Sequence, residues 1–210
     1  MCEYLKSPDT WLSIITAVVA IFALYQTGKQ IKQSNKQHLF DRRVNKFILI
    51  NGLLSLYSRN REKLKSMEGL YENVEPIFRR LTNATALKEM NIAVRHPLEE
   101  GDGHNTFLTI CEMLIDASTE IELIWEGNEA TLISEFVKKY ETLLNTMYVQ
   151  QIYIASEIES PTIPPDSLEN KAKQMADLLK LKNLIEDIDC LYEKILKTEA
   201  ENHLKKQIRL

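Results

Sequence analysis

The chain has 210 residues, a formal net charge of −4, 44% hydrophobic residues and 27% charged residues. This mixture resembles that of an average globular protein, and it excludes a wholly disordered chain, a collagen-like chain and a membrane protein with many spans. Only 6 glycines and 6 prolines are present. Because turns depend on these residues, their scarcity predicts an all-α protein with long helices rather than a many-stranded β fold.

The first predicted element is a transmembrane helix over residues 10–28, a stretch of 19 uncharged residues. As a helix it would be about 28 Å long, close to the thickness of the hydrocarbon core of a bilayer. Trp11 and Tyr25 lie near its two ends, where aromatic side chains anchor a span at the membrane–water interface. Residues 1–9 are then a short external N-terminus.

Two other interpretations of this stretch are weaker. A cleaved signal peptide needs a basic N-terminal region and a cleavage site with small residues, whereas residues 1–9 contain Glu3, Lys6 and Asp9 and no Ala-x-Ala follows. A buried core helix of a soluble protein would not explain why a long basic stretch follows it at its C-terminal end only. We therefore expect an uncleaved anchor.

A basic stalk over residues 29–38 follows the anchor, with Ile31 as its one aliphatic residue before the packed part begins near Leu39. The positive-inside rule predicts a single-pass protein of the inner membrane, with its N-terminus outside and its C-terminal part in the cytoplasm. Basic residues beside a membrane attract anionic lipid headgroups by about 1 kcal/mol each. The residues predicted to contact anionic lipid are Lys29, Lys32, Lys36, Arg42 and Arg43.

The anchor has one face of small residues, formed by Ser13, Ala17 and Ala20. Small residues spaced by three or four positions let two helices approach closely in lipid. This pattern predicts self-association of the anchor.

Glycines and prolines divide the rest of the chain into helical segments. With the anchor helix, the predicted helices cover residues 10–67, 75–95, 105–126, 129–158 and 167–206. We expect residues 39–210 to form a cytoplasmic antiparallel bundle of four to five helices.

Two of these helices carry clear start signals and apolar faces. Asn105 is expected to cap helix 105–126, and Asp166 with Glu169 forms a capping box for helix 167–206. In the first helix the residues predicted to be buried are Phe107, Leu108, Cys111, Leu114, Ile115, Ile121 and Ile124. In the second they are Leu178, Leu181, Leu184, Ile185, Ile188, Leu191, Tyr192 and Ile195, partly with the spacing of a coiled coil.

Acidic residues form a stripe on helix 105–126, where Glu112, Asp116 and Glu120 recur every four residues. Such a stripe is a solvated face, a docking surface for a basic helix or part of a cation site. Sites for hard cations draw ligands from several elements, so the stripe favours a solvated or docking surface over a metal site. A second acidic cluster, Glu186 with Asp187 and Asp189, has the same interpretation.

Charge is strongly segregated along the chain. Residues 29–65 contain ten basic and two acidic residues, whereas residues 66–210 contain 15 basic and 26 acidic residues. The basic residues at positions 59, 61, 63 and 65 are far from the predicted span, and we expect them to contact an acidic face of the same or a neighbouring bundle. The acidic distal part disfavours nucleic-acid binding because it would repel a polyanion.

No motif for catalysis, a cofactor or a metal ion is present. The chain lacks a phosphate-binding glycine loop, a nucleophilic serine motif, paired cysteines with zinc-ligand spacing and Glu-x-x-His pairs. We expect no catalytic residue, no cofactor and no bound metal. Cys111 and Cys190 are expected to be structural thiols on helix faces beside apolar positions.

The run Gln33–Phe47, QSNKQHLFDRRVNKF, directly follows the predicted span. It resembles an arrangement that recurs in uncharacterised bacterial single-pass, N-terminally anchored helical proteins, some of which are linked to phage defence. The resemblance covers residues 10–57 and implies no catalytic residues.

Two functions are compatible with these features. The first is a non-enzymatic, membrane-anchored interaction, scaffold or sensor module whose partners are the lipid bilayer and either a second copy or an operon-encoded protein. The alternative is a phage-defence or toxin-like effector, in which the bundle senses a signal and assembles the anchor into a membrane-disrupting oligomer. An enzyme whose site forms only in three dimensions is a third alternative.

Overall fold

The structure is a computed structural model that describes residues 8–66, 73–99, 101–159 and 165–208. Within these ranges the chain forms eight helices and no strand, which confirms the predicted all-α class. The helices are α1 (Pro8–Ser66), α2 (Glu75–Leu81), α3 (Met90–Arg95), α4 (Asp102–Ile124), α5 (Asn128–Glu159), α6 (Pro165–Leu178), α7 (Leu181–Lys197) and α8 (Ala200–Gln207). Most of the predicted external N-terminus lies outside the described residues.

The chain divides into two compact units between Arg42 and Arg43. The described part of the first, which we call the N-terminal unit, is the α1 segment of residues 8–42. The second, which we call the packed unit, contains the rest of α1 and all other helices. Hydrophobic residues of the N-terminal unit are exposed, whereas those of the packed unit form one buried core.

Helix α5 is central to the packed unit and contacts each helix from α2 to α8. Its Phe136 ring packs against Tyr57 of α1 and Tyr192 of α7, with ring centroids 5.7 Å and 6.5 Å apart. The buried Tyr140 hydroxyl donates to the Leu81 carbonyl oxygen of α2 over 2.7 Å. Two neighbouring turns of α5 thus fix three other helices.

The α1 segment of the packed unit is amphipathic. Its buried residues recur three or four positions apart, the spacing of one helix face. They are Ile50, Leu53, Leu54, Leu56, Tyr57, Asn60 and Leu64. The apolar face predicted after Leu39 is therefore present, and it is fully buried from Ile50 onward.

The predicted interior positions are partly wrong. Leu108 and Ile115 of α4 are 44% and 43% exposed, and Leu178 at the end of α6 is 75% exposed. The other residues predicted to be buried on α4 and α7 are buried. Leu108 and Ile115 lie at the edges of the apolar stripe, so a core contacting α4 from one side leaves them in solvent.

Several helix limits also differ from the prediction. Segment 75–95 forms two short helices, because Thr82–Glu89 leaves the helical path after α2. Helix α4 begins at Asp102, so Asn105 is not its cap. The backbone N–H of Asn105 donates to the Gly101 carbonyl oxygen within the first turn. The predicted capping box at Asp166 and Glu169 lies outside the residues whose side chains are described.

Segment 167–206 is interrupted twice, at Lys180 and Glu199, which adopt left-handed φ angles of 53° and 49°. Neither position is glycine, the residue that most often marks such a break. No glycine therefore marks the two positions at which this segment divides into α6, α7 and α8.

Replacing Lys180 with glycine is expected to stabilise the protein. A left-handed conformation costs an L-residue about 1 kcal/mol or more, and glycine avoids this cost. We expect Lys180→Gly to raise the free energy of unfolding by about 0.5 to 1 kcal/mol, measured by urea denaturation of the detergent-solubilised full chain.

Lys182→Gly is the matched control, because Lys182 is the second residue of α7 and has no left-handed φ angle. Glycine loses more conformational freedom on folding than other residues, so this variant should lose stability. Equal destabilisation by both variants would contradict the assigned backbone conformation of Lys180.

Candidate functional site

The N-terminal unit exposes a continuous apolar surface. From Trp11 to Tyr25 its large hydrophobic side chains are 42% to 73% exposed. Near its N-terminus, α1 is long and apolar enough to cross a membrane, and none of the residues in its most apolar window is buried. A core helix of a soluble protein would bury such side chains.

Two threonine hydroxyl groups near the N-terminal end of α1 form hydrogen bonds to backbone carbonyl groups of the same helix. Thr16 Oγ1 donates to the Leu12 carbonyl oxygen and Thr27 Oγ1 donates to the Ala23 carbonyl oxygen, each over 2.8 Å. An unpaired hydroxyl in hydrocarbon costs several kcal/mol. These internal hydrogen bonds make both threonines compatible with lipid.

The residues singled out on the anchor lie on the exposed helix. Trp11 is 57% exposed and Tyr25 is 71% exposed, and they lie fourteen positions apart, near the two ends of the uncharged stretch. Ser13, Ala17 and Ala20 are also exposed. Their spacing places them along one side of the helix.

The basic residues after the anchor have two different environments. Lys29, Lys32, Lys36 and Arg42 are exposed in the N-terminal unit. Arg43 belongs to the packed unit, where Nε donates to the Ile124 carbonyl oxygen over 2.8 Å and Nη1 donates to the Gln207 carbonyl oxygen over 2.6 Å.

These contacts give Arg43 a structural role. Ile124 and Gln207 are the last residues of α4 and α8, and the last carbonyl groups of a helix lack partners within it and carry its negative dipole end. One guanidinium therefore satisfies two helix ends. Trp125 supports the same corner, since Nε1 donates to the Leu204 carbonyl oxygen of α8 over 3.2 Å.

The acidic stripe of α4 is only partly free. Glu112 and Asp116 are exposed, but Glu120 accepts from Lys46 Nζ of α1 over 2.9 Å. The exposed Leu108 and Ile115 flank Glu112 on this helix. The outward surface of α4 therefore combines negative charge with exposed aliphatic side chains.

The second acidic cluster meets the basic end of α1, as the charge segregation predicted. Arg61 binds Asp189 of α7 through Nε and through Nη2, the latter over 2.9 Å. Arg61 Nη2 also lies 2.5 Å from Glu193, and Lys65 Nζ lies 3.3 Å from Asp189. Asp189 is only 17% exposed in its side chain, so this network joins α1 to α7 in a partly desolvated position.

The network also fixes the protonation state of its members. Hydrogen bonding from Arg61 lowers the pKa of Asp189 below its ordinary value. Burial raises the pKa of the Tyr57 hydroxyl, and the neighbouring Asp189 charge adds to this. Tyr57 accordingly stays protonated and donates to Asp189 Oδ1 over 3.3 Å.

Cys111 and Cys190 differ in environment. Cys111 is buried, and burial raises the pKa of its thiol to about 12. Its neighbour Glu141 is a buried carboxyl group whose pKa is raised by burial. Cys190 is exposed, and it lies on α7 beside the buried Ile188 and Leu191.

The described residues bring together no cluster of histidine, cysteine and carboxylate side chains of the kind that holds a metal ion. The His104 ring nitrogen Nδ1 lies 2.9 Å from the Tyr148 hydroxyl. His96 and His203 pair with Glu99 and Glu129 over 3.2 Å and 3.5 Å. Each of these histidines has a local partner that accounts for its position.

Comparisons with protein-family models, with curated proteins and with solved structures found no match for this chain. Functional inference therefore rests on its own residues and geometry.

Asp189→Asn is expected to lower the free energy of unfolding by about 2 kcal/mol, because it removes the partly buried carboxylate that Arg61 and Lys65 share and leaves Arg61 with Glu193 alone. Asp187→Asn is the control: Asp187 is 59% exposed and pairs with Lys139 over 3.0 Å. We expect this surface pair to contribute less than about 1 kcal/mol. Equal losses in urea denaturation would contradict the role of the network.

The Asp189 contribution should also depend on pH. A carboxyl group whose folded pKa is lowered stabilises the folded state above its unfolded pKa, and this stability is lost as pH falls through the folded pKa. The difference in unfolding free energy between the wild type and Asp189→Asn should therefore shrink below about pH 4.

Proposed function

We propose that this protein is a single-pass, membrane-anchored and non-enzymatic interaction module, with a helical bundle on the cytoplasmic face of the inner membrane. The observation that carries the proposal is the exposed apolar surface of the N-terminal unit. In this arrangement residues 10–28 cross the bilayer and residues 43–208 form the bundle, in which successive helices run antiparallel.

The energetics of insertion support the anchor. The eight large apolar residues from Leu12 to Leu24 together favour insertion by about 3 to 4 kcal/mol, since each contributes a few tenths of a kcal/mol. The paired hydroxyls of Thr16 and Thr27 reduce the opposing cost. This balance is favourable but modest, so a single charge in the anchor should cancel most of it.

The basic residues after the anchor support its orientation. Lys29, Lys32, Lys36 and Arg42 are exposed within one to fourteen positions of the uncharged stretch, where cations set topology and attract anionic headgroups. Arg43 adds little to this attraction because backbone carbonyl groups occupy its guanidinium.

The bundle would contribute a docking surface on α4. Exposed Glu112 and Asp116, beside the exposed side chains of Leu108 and Ile115, suit a partner that presents a basic amphipathic helix. Charge complementarity would steer the encounter, and the aliphatic side chains would supply buried area. A second copy or an operon-encoded protein could provide such a helix.

Val19→Arg tests the anchor. Arginine at the centre of a span costs about 2.5 to 3.5 kcal/mol, which cancels most of the insertion energy. We expect the wild type to remain in the membrane pellet after alkaline carbonate extraction and the variant to move largely to the supernatant.

Leu123→Arg is the matched control, because Leu123 of α4 is 79% exposed in the packed unit. It should leave the protein in the pellet. Release of the wild type by carbonate would overturn the anchor, and equal release of both variants would indicate a general effect of added charge.

Replacing Lys29, Lys32 and Lys36 together with glutamine tests the orientation. Removing three cations weakens the positive-inside signal, so a reporter fused to the C-terminus should show a mixed topology instead of a uniform cytoplasmic location. Replacing Lys171, Lys173 and Lys182 with glutamine removes the same charge far from the anchor and should change nothing. A periplasmic C-terminus in the wild type would contradict the proposed topology.

The effector alternative predicts a different result. If oligomerisation through Ser13, Ala17 and Ala20 disrupts the membrane, overexpression should collapse the membrane potential reported by a potential-sensitive dye. An interaction module should leave the potential unchanged, both at rest and during phage challenge.

A further inference from the structure

A concave surface lies beside α2, α3 and the turn that joins them. Its volume is about 700 Å³, and it is lined by the cations Arg79, Arg80, Lys88 and Arg95 together with the carboxylate of Glu89. We call this surface the basic groove.

The basic groove concentrates positive charge in the acidic part of the chain. Residues 66–210 contain 15 basic and 26 acidic residues, but the stretch 79–95 contains four basic residues and one acidic residue. A cleft lined by charges of one sign focuses the electrostatic field and attracts ligands of the opposite sign. The local charge of the groove thus points to an anionic ligand.

The groove's cations keep hydrogen-bond donors available. Glu75 lies 3.7 Å from Arg79 Nη1 and 3.6 Å from Arg95 Nε, which is close enough to hold both guanidinium groups but too long for a hydrogen bond. Their side chains remain 52% and 49% exposed. Within the described ranges, Arg80 and Lys88 are exposed and their side chains form no hydrogen bond or ion pair.

Contacts with neighbouring helices hold the segment that carries part of the groove. The buried Thr82 hydroxyl at the end of α2 lies 2.9 Å from Asn91 Oδ1 of α3, and Asn91 Nδ2 donates to the Lys88 carbonyl oxygen over 2.9 Å. A Cβ atom at Gly103 of α4 would lie only 3.1 Å from Ile92 Cγ2. Close packing of α4 on α3 therefore fixes the element that carries Lys88 and Arg95.

The charge of the groove favours a ligand with more than one phosphate group, and its size is that of a small-molecule site. Such sites have volumes of about 300 to 1,000 Å³, and the groove's volume of about 700 Å³ lies within this range. Guanidinium groups bind phosphate oxygens through paired N–H donors. Two phosphate groups carry about three to four negative charges, which match the four cations and one carboxylate of the lining.

We propose that the basic groove binds a small ligand that carries two phosphate groups. Arg79 and Arg95 would contact one phosphate group, and Arg80 and Lys88 would contact the other. This site lies within the packed unit.

Isothermal titration of the detergent-solubilised full chain with pyrophosphate tests the proposal. We expect saturable binding with a stoichiometry of one, at least tenfold tighter than binding of orthophosphate. Arg80→Gln and Lys88→Gln should each weaken pyrophosphate binding by about tenfold or more, because each removes charge-assisted hydrogen bonds.

Arg59→Gln and Lys138→Gln are the matched controls, since both residues are exposed cations of the packed unit that do not line the groove. They should leave affinity unchanged. Circular dichroism of each variant shows whether it remains folded. The proposal is overturned if the wild type does not bind millimolar pyrophosphate, or if the folded groove variants and the controls lose affinity equally.

Two further titrations distinguish the source of the phosphates. Adenosine diphosphate carries them on a soluble nucleotide, and inositol 4,5-bisphosphate carries them as a lipid headgroup would. Tighter binding of either compound than of pyrophosphate, lost in Arg80→Gln, would support the groove and identify the source. Binding of either compound that is insensitive to Arg80→Gln and Lys88→Gln would count against the groove.

Discussion

The packing of Phe136 and Tyr140 on α5 is the interaction on which the packed unit most depends. Phe136 contacts Tyr57 and Tyr192 through their rings, and the Tyr140 hydroxyl binds the end of α2. Buried aromatic side chains contribute the most apolar area per residue, but a buried hydroxyl destabilises the fold unless it has a partner. Phe136 supplies buried aromatic area and Tyr140 has a hydrogen-bond partner, both within two turns of α5. These two residues therefore hold α1, α2 and α7 against this helix. The Arg61–Asp189 network then closes the seam between α1 and α7.

The local sequence predicted the helices well but not their interruptions. Periodic apolar residues and scarce turn residues were sufficient for α1, α4 and α5, whose lengths depend on local pattern. The breaks at Lys180 and Glu199 occur at left-handed residues without glycine, so their cost is offset by the burial of Leu181, Ala200 and neighbouring side chains. A backbone conformation that tertiary packing imposes leaves no pattern in the neighbouring sequence. The exposure of Leu108 and Ile115 has the same origin, because the number of helices that cover α4 is a property of the whole fold.

The sequence predicted where basic and acidic residues cluster along the chain, but not which of them form ion pairs. The sequence indicated that the basic end of α1 would meet an acidic face, and Arg61 does meet Asp189. It did not indicate Lys46 with Glu120, because partners more than seventy residues apart are chosen by the packing of helices. The contacts of Arg43 could not be predicted from the sequence, since its partners are backbone carbonyl groups, which every residue possesses. Such contacts can be found only once two helix ends are known to meet.

These pairings change the meaning of the regional charges. Arg43, Lys46, Arg61 and Lys65 contact other groups of the packed unit, whereas Lys29, Lys32 and Lys36 are exposed in the N-terminal unit. Pairing also neutralises part of the acidic surface of α4 and α7, whereas Glu112 and Asp116 of α4 are exposed. The basic groove differs from both groups, because its guanidinium groups lie near one shared carboxylate without a hydrogen bond to it. Charged groups that stabilise a fold lie within hydrogen-bond distance of their partners. Charged groups that lie farther from their partners keep their N–H donors available for a ligand. By this criterion the paired cations of α1 serve stability, and those of α2 and α3 are the ones suited to binding.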